Sequence, residues 1–267
     1  MDPLESRQAL EEFLRNVQER DLVKARYVLR HIGEMETGAQ KRILFELSRS
    51  DLHFALPLLT QTLLHWPGLL SLYPTLKDTY RDKLLQAGSL AFSHLFDALQ
   101  SGDSELQAFA LELFGETGED RAKEPIRRLL ACHPHKARVR AAAYEALGRI
   151  GLDKGGLVVA RGLTDPVREV RLAAAGALEK QAGPSVITGL QNMIADEDEE
   201  AEQAVRALLE ARSARVFWAL LDDPSFWALC LRVLNGPGAG GLKGWYAELC
   251  RERGRQEAAE ALVGGEL

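Results

Sequence analysis

The chain has 267 residues, of which 46% are hydrophobic and 27% are charged, with 33 Lys and Arg against 39 Asp and Glu. This composition is typical of globular proteins and excludes a disordered chain, and the net charge of −6 argues against a protein that coats nucleic acid through a basic face. Three cysteines are too few for a secreted disulfide framework, and the first residues resemble no signal peptide, so we expect a cytoplasmic protein.

Helical patterns dominate the first hundred residues. Apolar residues recur at spacings of three and four, Asp21 and Asp51 stand where helix N-caps are expected, and no long alternating strand pattern occurs. The most apolar stretch, 54–73, is interrupted by polar residues and prolines, so it predicts buried helix rather than a membrane span. We expect three helix pairs: 4–20 with 21–32, 38–49 with 51–66, and 68–86 with 88–100.

From Asp103 onward the sequence repeats itself, with apolar and alanine positions recurring after 33 and then 31 residues. Each copy predicts two helices, and the copies are 105–131, 137–163 and 165–196, followed by a degenerate fourth over 196–223 and the opening of a fifth over 223–236. A helical hairpin cannot bury its apolar face alone, so neighbouring copies must stack to form one core.

Small residues recur at matched positions of these copies. Ala143 and Ala174 match each other, and we expect both to be buried where helices of adjacent copies approach closely. Gly115, Gly148 and Gly151 are expected to turn the chain between the two helices of a copy.

The pattern D-P-x-x-x-V-R-x-x-A-x-x-A-L, followed by a glycine-containing turn and a second helix, resembles HEAT repeats. The short bacterial HEAT-like repeats first noted in phycobilin lyases are the most similar. The resemblance is specific over 103–196, weaker over 197–236, and rests on helix-pair spacing alone over 1–100. It implies a right-handed all-α solenoid of about six or seven helix pairs. We divide the chain into degenerate N-terminal pairs (1–102), HEAT-like repeats (103–236), and a glycine-rich hinge with C-terminal capping helices (237–267).

In such repeats an Asp at the start of one copy and an Arg in the first helix commonly form a ladder between copies. Asp165 matches that Asp, and Arg140 and Arg171 match the Arg. We interpret both arginines as parts of this ladder rather than as ligand-binding groups. The first copy has Gln107 at the Arg position, which weakens the ladder there.

Three further motifs carry ligand-type residues without completing a site. The segment CHPH at 132–135 lacks the second Cys/His pair of a structural zinc site. The glycine-rich 236–244 segment lacks the preceding strand and the Ser or Thr of a phosphate-binding loop. The acidic run 196–202 lacks the spaced ligands of a calcium loop, which leaves a solvated helix start or a docking patch for a basic partner. We therefore expect no catalytic residue, no cofactor and no metal.

The sequence favours a non-catalytic scaffold or adaptor that binds another protein along the concave face formed by the second helices. The partner-binding residues that we expect there are Arg128, Arg161, Gln191, Asn192 and Trp218. We expect a monomer or weak dimer that binds neither nucleic acid nor membrane. The alternative is an enzyme or enzyme subunit of the phycobilin-lyase or HEAT-like DNA glycosylase kind, which would require a deep pocket lined by carboxylates and aromatic residues.

The end of the last repeat needs a cover, because 215–234 is the most apolar stretch after residue 100. Apolar residues at helical spacing predict that 242–253 folds back as a cap, with 236–244 as its hinge. Gly254 is expected to end that helix before a short one over 255–263. In the alternative, Trp218 and Trp227 form a dimer or partner interface and the tail is free.

Overall fold

The computed structural model describes residues 1–66, 68–132, 136–152 and 156–264, apart from the side chains of Cys132 and Leu157. Across these ranges the chain forms helices joined by short turns and has no β-strand. It divides into two compact units, Met1–Thr117 and Gly118–Leu267. In the part described, no helix combines the length and apolar character needed to cross a bilayer. The three-part division by repeat character stays a prediction.

The first unit contains the predicted helix pairs. Its helices are α1 (Pro3–Glu19), α2 (Leu22–Leu29), α3 (Thr37–Arg49), α4 (Leu52–His65), α5 (Leu69–Leu72), α6 (Pro74–Ala87), α7 (Ala91–Leu99) and α8 (Ser104–Thr117). The helix predicted over 68–86 is divided in two, because Pro74 has no N–H to donate and therefore occupies the first position of α6.

Aspartates begin several of these helices. The Asp21 carboxylate accepts the Lys24 N–H at 3.0 Å, and Asp51 accepts the Phe54 N–H at 3.2 Å, so both predicted N-caps are confirmed. The first helices α1, α3 and α6 contact one another in order, and the second helices α2, α4 and α7 do the same. Two parallel rows of helices are the arrangement of a helical solenoid.

The second unit continues the same construction. Its helices are α9 (Lys123–Cys132), α10 (Ala137–Ile150), α11 (Leu157–Ala160), α12 (Arg168–Lys180), α13 (Pro184–Ile194), α14 (Glu199–Glu210), α15 (Ala214–Leu220), α16 (Pro224–Asn235), α17 (Gly240–Glu252) and α18 (Gln256–Gly264). The first helices α10, α12, α14 and α16 contact in order, as do the second helices α11, α13 and α15. Ala143 and Ala174 are fully buried, as predicted.

Two of the three glycines assigned to turns lie inside helices instead. Gly115 belongs to α8 and Gly148 to α10, and both are buried. A Cβ on Gly148 would lie 2.6 Å from the Cα of Ala177, so this glycine lets two first helices approach closely. Gly151 is the turn residue, with φ of +115° at the end of α10.

The second helix predicted over 156–163 is only one α-turn long. It continues as a 3₁₀ turn over Arg161–Thr164. A Cβ on Gly162 would lie 2.7 Å from the Ala174 Cβ and from the Tyr144 ring, so side chains from two neighbouring first helices press against this turn.

The C-terminal helices pack against the last repeat. α17 contacts α16 and α18. Tyr246 of α17 is fully buried, with its ring 4.6 Å from the Phe217 ring and its hydroxyl donating to the Leu209 carbonyl at 3.3 Å. α17 begins inside the glycine-rich segment, at Gly240, and Gly254 with φ of +71° separates it from α18.

Candidate protein-binding surface

The predicted ladder between repeats is present and structural. Arg140 donates two hydrogen bonds to the Asp165 carboxylate, from Nε to Oδ2 at 2.7 Å and from Nη2 to Oδ1 at 2.8 Å. The side chains of Arg140 and Asp165 are only 18% and 10% exposed. Arg171 donates to the carbonyls of Asp165 and Pro166 at 2.8 and 3.1 Å. Such a bidentate, shielded pair fixes the register of two hairpins, so these arginines are occupied within the fold.

The bonds to Asp165 change the pKa of its carboxyl group. Burial alone would raise the pKa of its carboxyl, but the bonds from Arg140 and from the Val167 N–H outweigh burial and lower that pKa. The carboxylate is therefore held ionised by its structural partners. This leaves Asp165 unsuited to proton transfer at neutral pH.

Glutamine occupies the arginine position in two of the first helices. Gln107 donates its Nε2 to the carbonyls of Leu99 and Ser101 at 3.1 and 2.7 Å, and Gln40 donates in the same way to Ile32 and Met35. Like Arg140 and Arg171, these glutamines are the fourth residues of first helices. Gln107 thus satisfies loop carbonyls as Arg171 does, but it forms no counterpart of the Arg140–Asp165 carboxylate pair among the described residues, and its effect on the strength of the ladder stays a prediction.

Arg128 and Arg161 lie on the second-helix side of their hairpins, and both are exposed. Arg128 donates to Glu124 within α9 at 2.9 Å, an exposed pair one helical turn apart. Exposed pairs of this kind contribute little to stability and exchange partners readily. Both arginines can therefore reach a bound molecule.

Gln191 and Asn192 differ in their surroundings. Asn192 is exposed on α13, as predicted. Gln191 is half-buried and donates its Nε2 to Asp223 at 3.1 Å, the residue that caps α16 by accepting the Phe226 N–H. Gln191 thus joins α13 to the start of the next hairpin, which leaves it less accessible than Asn192, and its role in partner binding stays a prediction.

Trp218 is half-buried beside the C-terminal helices. The Arg253 guanidinium lies 5.1 Å from the centre of its ring, and Phe217 meets it edge-on. The indole Nε1 is shielded from solvent and bonds no acceptor in the part of the chain that the structure describes. The indole edge is thus covered from within this unit.

A cavity of about 620 Å³ opens near the end of α15. Trp227 and Leu221 supply apolar walls, and Arg255 donates to both carboxylate oxygens of Asp222 at 2.6 and 2.9 Å on the rim. Sequence reasoning missed this cavity, because Asp222 and Arg255 come together only through the packing of α17 and α18. Glu257 is a second carboxylate of the lining.

The structure also locates parts of the ligand-type motifs that are incomplete in the sequence. CHPH at 132–135 lies outside the described side chains, and the remaining described residues hold no group of three or more metal-type ligands. Asp198 of the acidic run caps α14 by accepting the Ala201 N–H at 2.8 Å. Glu197 and Glu202 lie 3.9 and 3.8 Å from Arg232, so part of the run is neutralised within the unit.

Three second helices of this unit, α11, α13 and α15, contact one another in order and form one surface. We call α11, the turn that follows it, α13 and α15 the second-helix row, and its exposed residues include Arg161 and Asn192.

No curated protein matches the chain. Residues 92–156 match the family model of HEAT repeats, and this match together with the stacked hairpins supports a HEAT-repeat protein.

Proposed function

We propose that the protein is a non-catalytic scaffold that binds a partner protein along the second-helix row. The observation that carries this proposal is the ordered contact of α11, α13 and α15, which lines up exposed polar side chains on successive hairpins. HEAT repeats commonly mediate protein–protein interaction, and a row of stacked helices offers an extended surface for it. Arg161 and Asn192 of this row, together with Arg128 on the preceding second helix α9, would contact an acidic or polar segment of the partner.

Leu221, which follows α15 directly, lines the cavity beside Trp227, and this cavity would receive a side chain of the same partner. We also propose a cytoplasmic location and a monomer or weak dimer, in keeping with the composition of the chain. We further propose that the repeats are of the short bacterial type first noted in phycobilin lyases.

The alternative is an enzyme or enzyme subunit of the phycobilin-lyase or DNA glycosylase kind. The cavity favours it in one respect, since Trp227, Asp222 and Glu257 line the same space. However, the Asp222 side chain is 80% exposed and paired with Arg255. A solvated, neutralised carboxylate at a rim is a poor general acid or base. Copurification of a coloured tetrapyrrole, or a salt-sensitive DNA gel shift, would favour this alternative.

The test begins with the tagged full chain, which is used to isolate a partner from the source cell. The affinity of the purified partner is then measured by calorimetry for the wild type and for R128E/R161E. The control R149E/R251E reverses two other exposed arginines of the same unit, which pair with Glu145 and Glu248 at 4.0 and 3.0 Å.

We expect the affinity to fall about tenfold or more for R128E/R161E, and to change less than about twofold for the control, with equal melting temperatures. Equal losses in the two variants, or none in either, would count against the second-helix row as the binding surface.

A further inference from the structure

An unusual stripe lies on the outer side of α2 in the first unit. Val23 is 78% exposed and Tyr27 is 62% exposed, and residues four apart share one face of a helix. The helix buries Ala25, Val28 and Leu29 against the unit, and Leu22 is half-buried. Packing therefore leaves a second apolar surface on α2 uncovered.

Two arginines complete this stripe. Arg26 and Arg30 follow Val23 and Tyr27 at spacings of three, so the four side chains run along one face; we call them the α2 stripe. Exposed apolar residues scattered singly are ordinary on protein surfaces. Here two exposed apolar residues share a helix face with two arginines, which makes a patch that is both apolar and positively charged.

The guanidinium groups of the α2 stripe are not neutralised within the unit. Neighbouring cations are paired, Lys24 with Asp21 at 3.1 Å and His31 with Glu34 at 3.4 Å. Within the described ranges, no carboxylate lies within 4.0 Å of Arg26 or Arg30. The Nε of Arg26 is also shielded from solvent without a hydrogen-bond acceptor.

α4 supplies the other wall of a narrow cleft. Arg26 and Arg30 line it on one side and Gln61 and His65 on the other, and its volume is about 10 Å³. That is room for about one water-sized group, such as a carboxylate oxygen. His65 donates its Nδ1–H to the Gln61 carbonyl at 2.8 Å, which holds the ring at this edge.

From these observations we infer that the α2 stripe and the cleft beside it bind an acidic, apolar-containing segment of a partner protein. Carboxylates match the forked donors of Arg26 and Arg30, which are about 6 Å apart along the helix axis. An aliphatic side chain of the same segment packs on Val23 and Tyr27. This site lies in the first unit and is independent of the proposed second-helix row.

A nucleic acid fits the same surface poorly. The chain is acidic overall, and carboxylates of α1 act on the adjacent Lys24, whose pKa is raised by its bond to Asp21 and further by Glu12 and Glu19. A polyanion that extends beyond the stripe would be repelled by these carboxylates. A short segment with few acidic residues avoids that repulsion.

The experiment uses the full chain and a fluorescein-labelled amphipathic Glu/Leu peptide, with fluorescence anisotropy as the readout. The comparison peptide replaces every Glu by Gln. The test variants are R26Q/R30Q and V23S/Y27S. The control R7Q/R15Q removes the same charge from exposed positions of α1 in the same unit.

We expect the Glu/Leu peptide to bind and the Gln/Leu peptide to bind about tenfold more weakly or not at all. Affinity should fall about tenfold in R26Q/R30Q and severalfold in V23S/Y27S, and stay within about twofold in R7Q/R15Q. If R26Q/R30Q melts early, R30Q alone replaces it, because Arg30 is exposed, and a loss of about threefold is expected.

Several results would overturn the inference. These are no binding of the Glu/Leu peptide, equal binding of the two peptides, equal losses in R26Q/R30Q and R7Q/R15Q, and tighter binding of single-stranded DNA at the stripe. Self-association that R26Q/R30Q abolishes, without peptide binding, would instead identify a second copy as the occupant. R128E/R161E should bind the peptide normally, so failure here is distinguishable from failure of the second-helix row.

Discussion

Gly148 of α10 and Ala177 of α12 meet so closely that a side chain on Gly148 could not fit: its Cβ would lie 2.6 Å from the Ala177 Cα. The obstacle is backbone rather than a flexible side chain, so the two helices would have to move apart. This contact sets the spacing of two successive hairpins. It explains why a glycine is tolerated inside a helix, where it otherwise costs stability.

Replacing this glycine should therefore destabilise the second unit. Gly148→Ala is expected to cost about 1–3 kcal/mol in urea unfolding, because it overpacks the α10–α12 contact. The matched control is Gly176→Ala in α12, where an added Cβ meets nothing within 4 Å. The control should be neutral or stabilise by up to about 1 kcal/mol. Equal effects of the two substitutions would show that the close contact is not real.

Ala174 of α12 packs against Gly162, where an added Cβ on the glycine would lie 2.7 Å from the Ala174 Cβ. Ala174→Leu should cost about 1–3 kcal/mol, since the residue is fully buried and neighbouring atoms leave no space for a larger side chain. Ala219→Leu adds the same atoms at an exposed position and should change the melting temperature little. A wild-type melting temperature for Ala174→Leu would contradict the assigned repeat register.

The Arg140–Asp165 pair should matter more than exposed pairs. Asp165→Asn is expected to cost about 1–3 kcal/mol at neutral pH, because it leaves a shielded guanidinium without its carboxylate. Glu145→Gln removes the exposed partner of Arg149 and should cost under about 0.5 kcal/mol. The Asp165 pKa is lower in the folded state, so its contribution is complete above the unfolded pKa and is lost as pH falls through the folded one. The cost of Asp165→Asn should therefore shrink in acid, and a cost independent of pH would argue against the pair.

We expect His94 to make the first unit sensitive to acid. Its Nδ1 lies 3.1 Å from the Thr60 hydroxyl, which also meets the fully buried Tyr80 hydroxyl at 2.7 Å. Burial lowers the pKa of His94, and the nearby Asp97 carboxylate only partly opposes this. The folded state thus binds fewer protons than the unfolded chain, so stability should fall as pH drops below about 6.5 toward the folded pKa.

Urea unfolding at several pH values measures this directly. His94→Gln should flatten the loss of stability in that window, whereas replacing the exposed His53 by Gln should leave the slope as it is in the wild type. An unchanged slope in His94→Gln would assign the acid sensitivity to other groups.

The C-terminal helices should be needed for the stability of the second unit. Ending the chain at Asn235 removes Tyr246 from the Phe217 ring and Arg255 from Asp222, which exposes a large apolar surface. We expect marked loss of solubility or of thermal stability. Tyr246→Ala should cost about 3–5 kcal/mol and Tyr246→Phe under about 1.5 kcal/mol. A truncated chain that melts normally, with an unchanged monomer–dimer equilibrium by light scattering, would instead indicate a free tail.

Local signals in the sequence were sufficient for much of the fold. Asp21 and Asp51 placed two helix starts, and the recurring alanines identified Ala143 and Ala174 as buried. These signals need only spacing and capping chemistry. The break at Pro74 was missed because apolar periodicity continues across it.

Features that depend on distance between helices were not predictable in the same way. The role of Gly148 depends on how near Ala177 comes, and the position of Gln191 depends on Asp223 of the next hairpin. Arg26 and Arg30 read as ordinary surface charges until the structure shows that no carboxylate pairs with them within the described ranges. Arg128, Arg161 and Asn192 are exposed, and their role in binding a partner stays a prediction.

Hydrogen exchange of the full chain, with and without its isolated partner, tests the central claim most directly. Binding along the second-helix row should slow amide exchange in α11, α13 and α15 while leaving the first helices α10, α12 and α14 unchanged. Protection confined to the first helices, or no change in the second unit at all, would contradict the proposed surface.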